Sequence, residues 1–293
     1  MVNCFPIRKS LCPQSGRKSN NDMTRKGNAS IIENPLLKFL LLKEPEKTIS
    51  KSGIKFRKKI FPVIAYVGKK LYGLDLTVVE NNPIPNDCPV IFACTHGFKE
   101  DVLASMLTVD EDMYVLFGNR RQALGCIDGF CVYVTGMILV DRFDKESRKA
   151  SRDKIKYALS QGAKVAIFPE GTWNNSPNKI VLELYPGIWE IAKEANAVIV
   201  PIGTLKDEGR IFSSVGEAIS PNGISEREGI IILRDTLATL KWNLMERASS
   251  FPSTFVPHGD EGLDYWKSVI DKEIDSVKYY DRYIEERCVY RST

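Results

Sequence analysis

Histidine is almost missing from this chain: 293 residues contain two, His96 and His258. Chemistry that needs a neutral base near pH 7 therefore has two candidates. Cysteine is present seven times, at positions 4, 12, 88, 94, 126, 131 and 288, but never as C-x-x-C. With two histidines no common zinc spacing can be assembled, so no metal is expected. An odd number of cysteines and no visible secretory leader lead us to expect reduced thiols in the cytosol. Long apolar runs are lacking too. The nearest are Pro35–Leu42, broken by Lys38, and Ile60–Val67, both far short of the roughly 20 residues that span a bilayer. There is no G-x-x-x-x-G-K-[ST], no G-x-G-x-x-G and no G-x-S-x-G, which argues against nucleotide, dinucleotide and α/β-hydrolase chemistry. No zinc-finger or RNP-like pattern is present, so no nucleic-acid partner is expected.

Charge is present in quantity but unevenly placed. Residues 1–70 hold 16 Lys and Arg against 4 Asp and Glu, a net of +12, while the remainder carries −8. A basic arm on an acidic body points to a polyanionic partner. Residues 1–30 are polar and basic and are expected to be a disordered tail; Met23 offers a second possible start within it. Residues 31–75 mix Leu36, Leu37, Phe39, Leu40, Leu41, Phe56, Ile60, Phe61, Ile64, Tyr66 and Val67 with Lys and Arg. That pattern predicts basic amphipathic helices, which could lie on an anionic bilayer or dock on the body.

From residue 76 strand-like and helix-like segments alternate. Strands are expected at Leu76–Glu80, Val90–Cys94, Met113–Phe117, Met137–Val140, Val165–Phe168, Val198–Ile202 and Ile211–Val215. Helices are expected at Val102–Thr108, Lys145–Ser160, Gly187–Ala195, Glu228–Glu246 and Gly262–Glu286. Near-continuous apolar strands imply a sheet covered on both faces. Gly162 reads as the residue just past the end of the 145–160 helix. The expected fold is α/β: a mixed, largely parallel sheet flanked by helices, occupying 76–220, with helical additions at the N-terminus and at 221–293. In the last of these, Leu237, Leu240 and Leu244 recur at helical spacing, which ordinarily means core packing.

Four short blocks hold the residue types that do chemistry. The first runs from His96 to Asp101, directly after an apolar strand, where α/β proteins commonly place ligands. The second is Gly136 to Arg142, a strand ending in Asp141-Arg142. The third is Phe168-Pro169-Glu170-Gly171-Thr172-Trp173, and the fourth Val200-Pro201-Ile202-Gly203. Taken singly each has a plain structural explanation. On a regular helix Glu100, not Asp101, would lie under His96, so Asp101 reaches the imidazole only if His96 sits in the turn before the helix. An Asp-Arg pair at a strand end is ordinarily a surface ion pair, Glu-Gly ordinarily a turn, and a strand proline ordinarily marks an edge or bulge.

Together and in this order, the blocks resemble those of the glycerolipid acyltransferase family, enzymes that acylate lysophosphatidic acid and related acceptors. His96 and Asp101 match the family's H-x-x-x-x-D block; Gly136, Asp141 and Arg142 its second; Phe168 to Thr172 its F-P-E-G-T; and Val200, Pro201 and Ile202 its V-P-[IV]. Tyr185 to Ala192 is similar to the helix between the third and fourth blocks. The resemblance covers about residues 75–216. It implies a glycerol-3-phosphate (1)-acyltransferase-like fold, with His96 and Asp101 catalytic. Substrate binding is implied for Gly136, Arg142, Glu170, Gly171, Thr172 and Pro201, with Arg142 on the acceptor's phosphate and Glu170 and the Gly171 amides on its glycerol or on the developing oxyanion. No bound cofactor is implied; the donor is an acyl thioester of coenzyme A or acyl carrier protein. The acceptor is a lysolipid, most simply 1-acylglycerol-3-phosphate, and the enzyme is expected in the cytoplasm, peripheral to the membrane through its basic N-terminal segment. The family's third block usually continues with Arg-Ser, where this chain has Trp173-Asn174. That departure leaves a non-phosphate lysolipid or an aminolipid as the alternative acceptor, and a non-catalytic lipid-binding protein as the alternative outside enzymes.

Overall fold

The computed structural model describes residues 41–118, 136–174, 176, 179–207 and 209–248, together with five positions between 264 and 272. The chain divides into two units, residues 1–38 and 39–293, and all described residues belong to the second. The tail 1–30, His258 and nearly all of the expected helix Gly262–Glu286 lie outside the described residues.

Before the sheet the described residues include the helices α1 (Pro45–Thr48) and α2 (Lys51–Tyr72). Ser50 caps α2 by accepting the Gly53 N–H at 3.0 Å, and Gly73 ends it in the left-handed region at φ 57°, the conformation a glycine adopts at least cost. Phe61 and Ala65 are buried on one edge of α2. On the same edge a Cβ at Gly68 would come within 2.8 Å of Leu103 Cδ2, so a glycine there permits close docking on the next helix. Phe56, Val63, Tyr66, Val67 and Leu71 of α2 stay exposed.

Seven strands follow: β1 (Asp75–Asn81), β2 (Val90–Cys94), β3 (Tyr114–Phe117), β4 (Met137–Leu139), β5 (Val165–Ile167), β6 (Val198–Asp207) and β7 (Arg210–Val215). They form one sheet in the order β1-β7-β6-β2-β5-β3-β4. From β6 through β4 all neighbours are parallel; β7 runs antiparallel to β6 and carries β1 parallel to itself. The expected mixed, largely parallel sheet is therefore what the chain forms. The helices α3 (Asp101–Val109), α4 (Lys145–Ser160), α5 (Gly187–Glu194) and α6 (Glu226–Arg247) cover it.

Alternation along β2 sorts the two cores, because successive side chains point to opposite faces. Ile91 and Ala93 join Ile155, Ala158 and Leu159 of α4, Trp189 of α5, and Leu233 and Leu237 of α6. Val90, Phe92 and Cys94 join Phe61 of α2 and Met106 and Val109 of α3. Each such fully buried aliphatic or aromatic side chain contributes roughly 1.5–3 kcal/mol. Cys88 and Cys94 are both free thiols, and burial pushes the Cys94 thiol up to about 12, so it stays protonated as a small apolar filler.

Several expectations need correcting in detail. β6 does not stop at Ile202 but continues to Asp207, because Lys206 and Asp207 pair with Ile211 and Arg210 in a hairpin with β7. Pro201 does not mark an edge: β6 lies between β2 and β7. The proline is tolerated there because regular pairing with β7 ends at Ile202↔Val215 and resumes only as an isolated bridge at Ile199↔Ile219. In that gap Pro201 has no ladder bond to donate, while its carbonyl accepts the Gly216 N–H at 2.8 Å.

Candidate active site

Because β2, β5, β3 and β4 are parallel neighbours, their carboxyl ends emerge along one edge of the sheet. The residues that follow them are Thr95-His96, Phe168 to Asn174, Gly118, and Asp141-Arg142. Three of the four sequence blocks thus meet at one edge by topology alone.

His96 lies in the turn between β2 and α3, and Asp101 is the first residue of α3. That placement is the one the five-residue spacing requires. His96 Nδ1 is 2.8 Å from Asp101 Oδ2. The same carboxylate oxygen accepts the backbone N–H groups of Gly97 at 2.9 Å and Phe98 at 3.2 Å. The turn is therefore folded around the carboxylate, which also sits favourably at the positive end of α3. Asp101 is fully buried, whereas the His96 side chain retains 23% of its exposure. An ionised carboxylate can only accept, so hydrogen-bond logic assigns the proton to Nδ1 and leaves Nε2 with a lone pair. The Phe168 ring lies 4.5 Å from the imidazole and the Trp173 ring meets it edge-on at 6.1 Å.

The backbone of His96 is clamped from both sides. Its N–H donates to Glu170 Oε1 at 3.2 Å, and its carbonyl accepts the Asn174 N–H at 2.7 Å. Glu170 Oε2 accepts the Leu182 N–H at 2.8 Å. Glu170 is thus turned into the protein, with no exposed surface, and ties three loops together. Burial pushes its carboxyl above the usual range; Lys241, then the Leu182 and His96 amides and the His96 ring, oppose that shift. Thr95, just before the histidine, is locked to β6 by its hydroxyl accepting the Thr204 N–H at 2.9 Å.

Arg142 reaches across the strand ends. Its guanidinium donates to the Gly171 carbonyl and passes so close to Gly118 that a Cβ there would lie 2.9 Å from Nε. Its own carbonyl accepts from Arg148 at 2.6 Å. The neighbouring acids serve the backbone: Asp141 accepts the Phe143 N–H at 3.1 Å, and Asp144 caps α4 by accepting the Ser147 N–H at 2.6 Å. Gly171 adopts φ 69°, and a Cβ on it would sit 2.4 Å from Tyr185 Cε2.

Of the sequence-expected residues, the structure brings His96, Asp101 and Glu170 into direct contact, and joins Arg142 to Gly171. Thr172 is buried in the same loop. Gly136 immediately precedes β4 at φ 118° against the Tyr114 ring, where a backbone requirement accounts for glycine. Pro201 lies within the sheet, opposite Ala93. Missed from the sequence were Asn174, whose backbone holds His96, and Lys241 on α6, whose pKa burial pushes down while Glu170 and then Asp101 oppose that shift. Lys241 could have been noticed as a cation four residues after Leu237 and three before Leu244, on a face that otherwise reads as core.

Residues 75–204 match the family model described as Acyltransferase. Over 139 residues the chain is 28% identical to a 1-acyl-sn-glycerol-3-phosphate acyltransferase of Chlamydomonas reinhardtii, covering 47% of this chain and 40% of that protein. Over 145 residues it is 27% identical to the 1-acyl-sn-glycerol-3-phosphate acyltransferase alpha of Mus musculus, covering 49% of this chain and 50% of that one. The match thus spans about half the length of these curated relatives. Among solved structures, the 1-acyl-sn-glycerophosphate acyltransferase of Thermotoga maritima superimposes with a TM-score of 0.51 at 19% identity, covering 77% of this chain and 93% of that one.

Proposed function

We infer, from the premise that residues 75–204 are a domain of the acyltransferase family, that this protein transfers an acyl group from a thioester to the hydroxyl of a lysophospholipid. The acceptor we favour is 1-acylglycerol-3-phosphate, with phosphatidic acid as product and the thioester of coenzyme A or acyl carrier protein as donor. The observation that carries the reading is the 2.8 Å contact between His96 Nδ1 and Asp101 Oδ2 at the carboxyl end of β2. It leaves Nε2 free to take the acceptor's proton as the hydroxyl oxygen attacks the thioester carbonyl. The resulting imidazolium is stabilised by Asp101 and returns its proton to the departing thiolate as the C–S bond breaks. No protein nucleophile is needed; the logic is that of a serine hydrolase with the acceptor hydroxyl in place of serine.

Arg142 is assigned to the acceptor's phosphate, a planar cation suited to an oxyanion, and Gly171 and Thr172 to the loop that receives the acceptor's glycerol. Glu170 is assigned a positioning part: its two accepted amides hold the His96 loop. The basic N-terminal segment is assigned to the surface of an anionic membrane, which would make the enzyme a peripheral one. Among the described residues no helix is long and apolar enough to cross a membrane.

The test is transfer from a labelled acyl thioester to a panel of lysolipids and amines, with His96→Ala beside the wild type. Removal of the base should lower turnover roughly 10²–10⁴-fold in a folded protein; activity within a few-fold of wild type would falsify the role. A second acceptor class is favoured by one observation. Trp173, 8% exposed, presents an apolar edge to His96 where a cation would suit a phosphate. Preference for a neutral or amine acceptor in the same panel would select that reading.

A further inference from the structure

The turn that carries His96 and Asp101 is shaped from within but placed from outside. The bonds from the Gly97 and Phe98 amides to Asp101 fold it around the carboxylate, yet neither reaches the sheet. At its entry the turn is fixed to β6. The Thr95 N–H donates to the Ile202 carbonyl at 3.1 Å, and the Thr95 hydroxyl lies 3.1 Å from that of Thr204. Its exit is fastened differently. Glu100 is the N-cap residue of α3, but its side chain makes no capping bond. The carboxylate turns instead to Lys206, whose Nζ is 3.2 Å from Oε2. The same ammonium stands 5.9 Å from the centre of the Phe98 ring, within reach of a cation–π attraction. Phe98 is buried in a small cluster with Leu74, Ala104 and Ile211. Thr204 and Lys206 are two residues apart on β6 and so project from one face of it; both meet the turn. They belong to the length of β6 that runs past Ile202 as a hairpin with β7. Helix α6 backs that hairpin from the opposite face. A Cβ at the intervening Gly203 would lie 2.9 Å from Leu240 Cβ, and one at Gly216, just past β7, 3.0 Å from Leu240 Cδ1.

We propose that Lys206 is a positioning residue for acyl transfer: it holds the Glu100 end of the His96–Asp101 turn to the β6–β7 hairpin, so that the imidazole is placed from both ends of the turn. The inference rests on the reading of His96 as the base. The pair is partly exposed, 25% at Lys206 and 16% at Glu100, and such pairs contribute little to global stability. Its effect is local. Once the exit is released, the first turn of α3 can shift with Asp101 on it, and the imidazole follows the carboxylate that orients it. Base catalysis tolerates little such displacement, because the base must lie within hydrogen-bond reach of the proton it takes. In this reading Lys206 makes no contact with the reacting atoms; it acts through Glu100 and Phe98.

The experiment measures kcat and KM of the full chain for the acyl thioester and the lysolipid acceptor. It compares wild type, Lys206→Met, Lys206→Arg, Glu100→Ala and the double variant of Lys206→Met with Glu100→Ala, with His96→Ala as control. Lys206→Met and Glu100→Ala should each lower kcat about tenfold, with urea midpoints near wild type. KM for either substrate should change by less than about twofold, because no binding contact is removed. The double variant should be no slower than the slower single, since both changes break one interaction. Lys206→Arg, which keeps the charge and the reach, should recover most of the rate. A wild-type kcat in Lys206→Met overturns the proposal. So does a raised KM at unchanged kcat, which would make Lys206 a substrate contact, and so do losses that multiply in the double variant. Should Lys206→Met not fold, Glu100→Ala decides, and a wild-type kcat there overturns it. Failure of the underlying function shows separately, as transfer that survives in His96→Ala.

Discussion

Glu170 and His96 are joined through the backbone: the glutamate's Oε1 accepts the histidine's own N–H at 3.2 Å, while Oε2 holds Leu182 at 2.8 Å. The acid therefore determines where the imidazole starts, just as Asp101 determines where it points. Glu170→Gln keeps the shape but puts an amide NH2 against one of the two N–H groups. We expect stability to fall by about 1–3 kcal/mol and turnover by on the order of 10²-fold, read from urea unfolding and from the acyl-transfer assay. Unchanged turnover in Glu170→Gln would show that the clamp is dispensable.

Gly171 is strained for any other residue twice over, by φ 69° and by the Tyr185 ring 2.4 Å from where a Cβ would be. Gly171→Ala should destabilise by about 1–3 kcal/mol. Adding Tyr185→Ala should recover the steric part but not the backbone part. A double mutant no more stable than Gly171→Ala would contradict this division.

Lys154 donates to the Leu41 carbonyl at 2.8 Å and is 3% exposed; burial, then repulsion from Lys43, brings its pKa down to about 8. Its pKa is lower folded than unfolded. Between about pH 8 and the ordinary lysine value the unfolded chain therefore binds more protons, and stability rises with pH. The stability of wild type relative to Lys154→Met should climb across that window and be flat below it. Urea midpoints of both proteins at pH 7, 8, 9 and 10 check this; parallel curves would mean that the ammonium is solvated in the fold.

The exposed side chains Phe56, Val63, Tyr66 and Leu71 recur along α2 among Lys55, Lys58, Lys59, Lys69 and Lys70. This is the composition of a helix that lies in a headgroup layer. Replacing Phe56, Tyr66 and Leu71 by Ser should weaken flotation with anionic liposomes without lowering thermal stability, since none of the three is buried. Removing the basic residues should add a salt-dependent loss of about 1 kcal/mol per cation near the surface. Liposome binding indifferent to both changes would remove the membrane from the account.

Local chemistry was well represented in the sequence. The helix Lys145–Ser160 was bounded correctly because both its stops are local: Asp144 caps one end and Gly162 turns at φ 80° past the other. His96 stood out because an apolar strand delivers it to a sheet edge. What escaped was decided at long range. Pro201 reads as the mark of an edge or bulge; it sits inside the sheet, where β7 breaks off opposite it, which nothing in residues 198–207 announces. The inward turn of Glu170 depends on His96 and Leu182, 74 and 12 residues away. Lys241 was hidden by its neighbours, four leucines that made its helix read as packing alone.

Among the described residues helix α6 follows every strand, and this order matters as the protein is made. A ribosome that has released Val215 has already delivered the whole sheet and both His96 and Asp101, yet one face of β6 still lacks Leu233, Leu237, Leu240 and Leu244. Domains form progressively during synthesis, and bare apolar surface invites association in the interval. Until α6 lands on Gly203 and Gly216, the nascent chain has His96 and Asp101 but an open core.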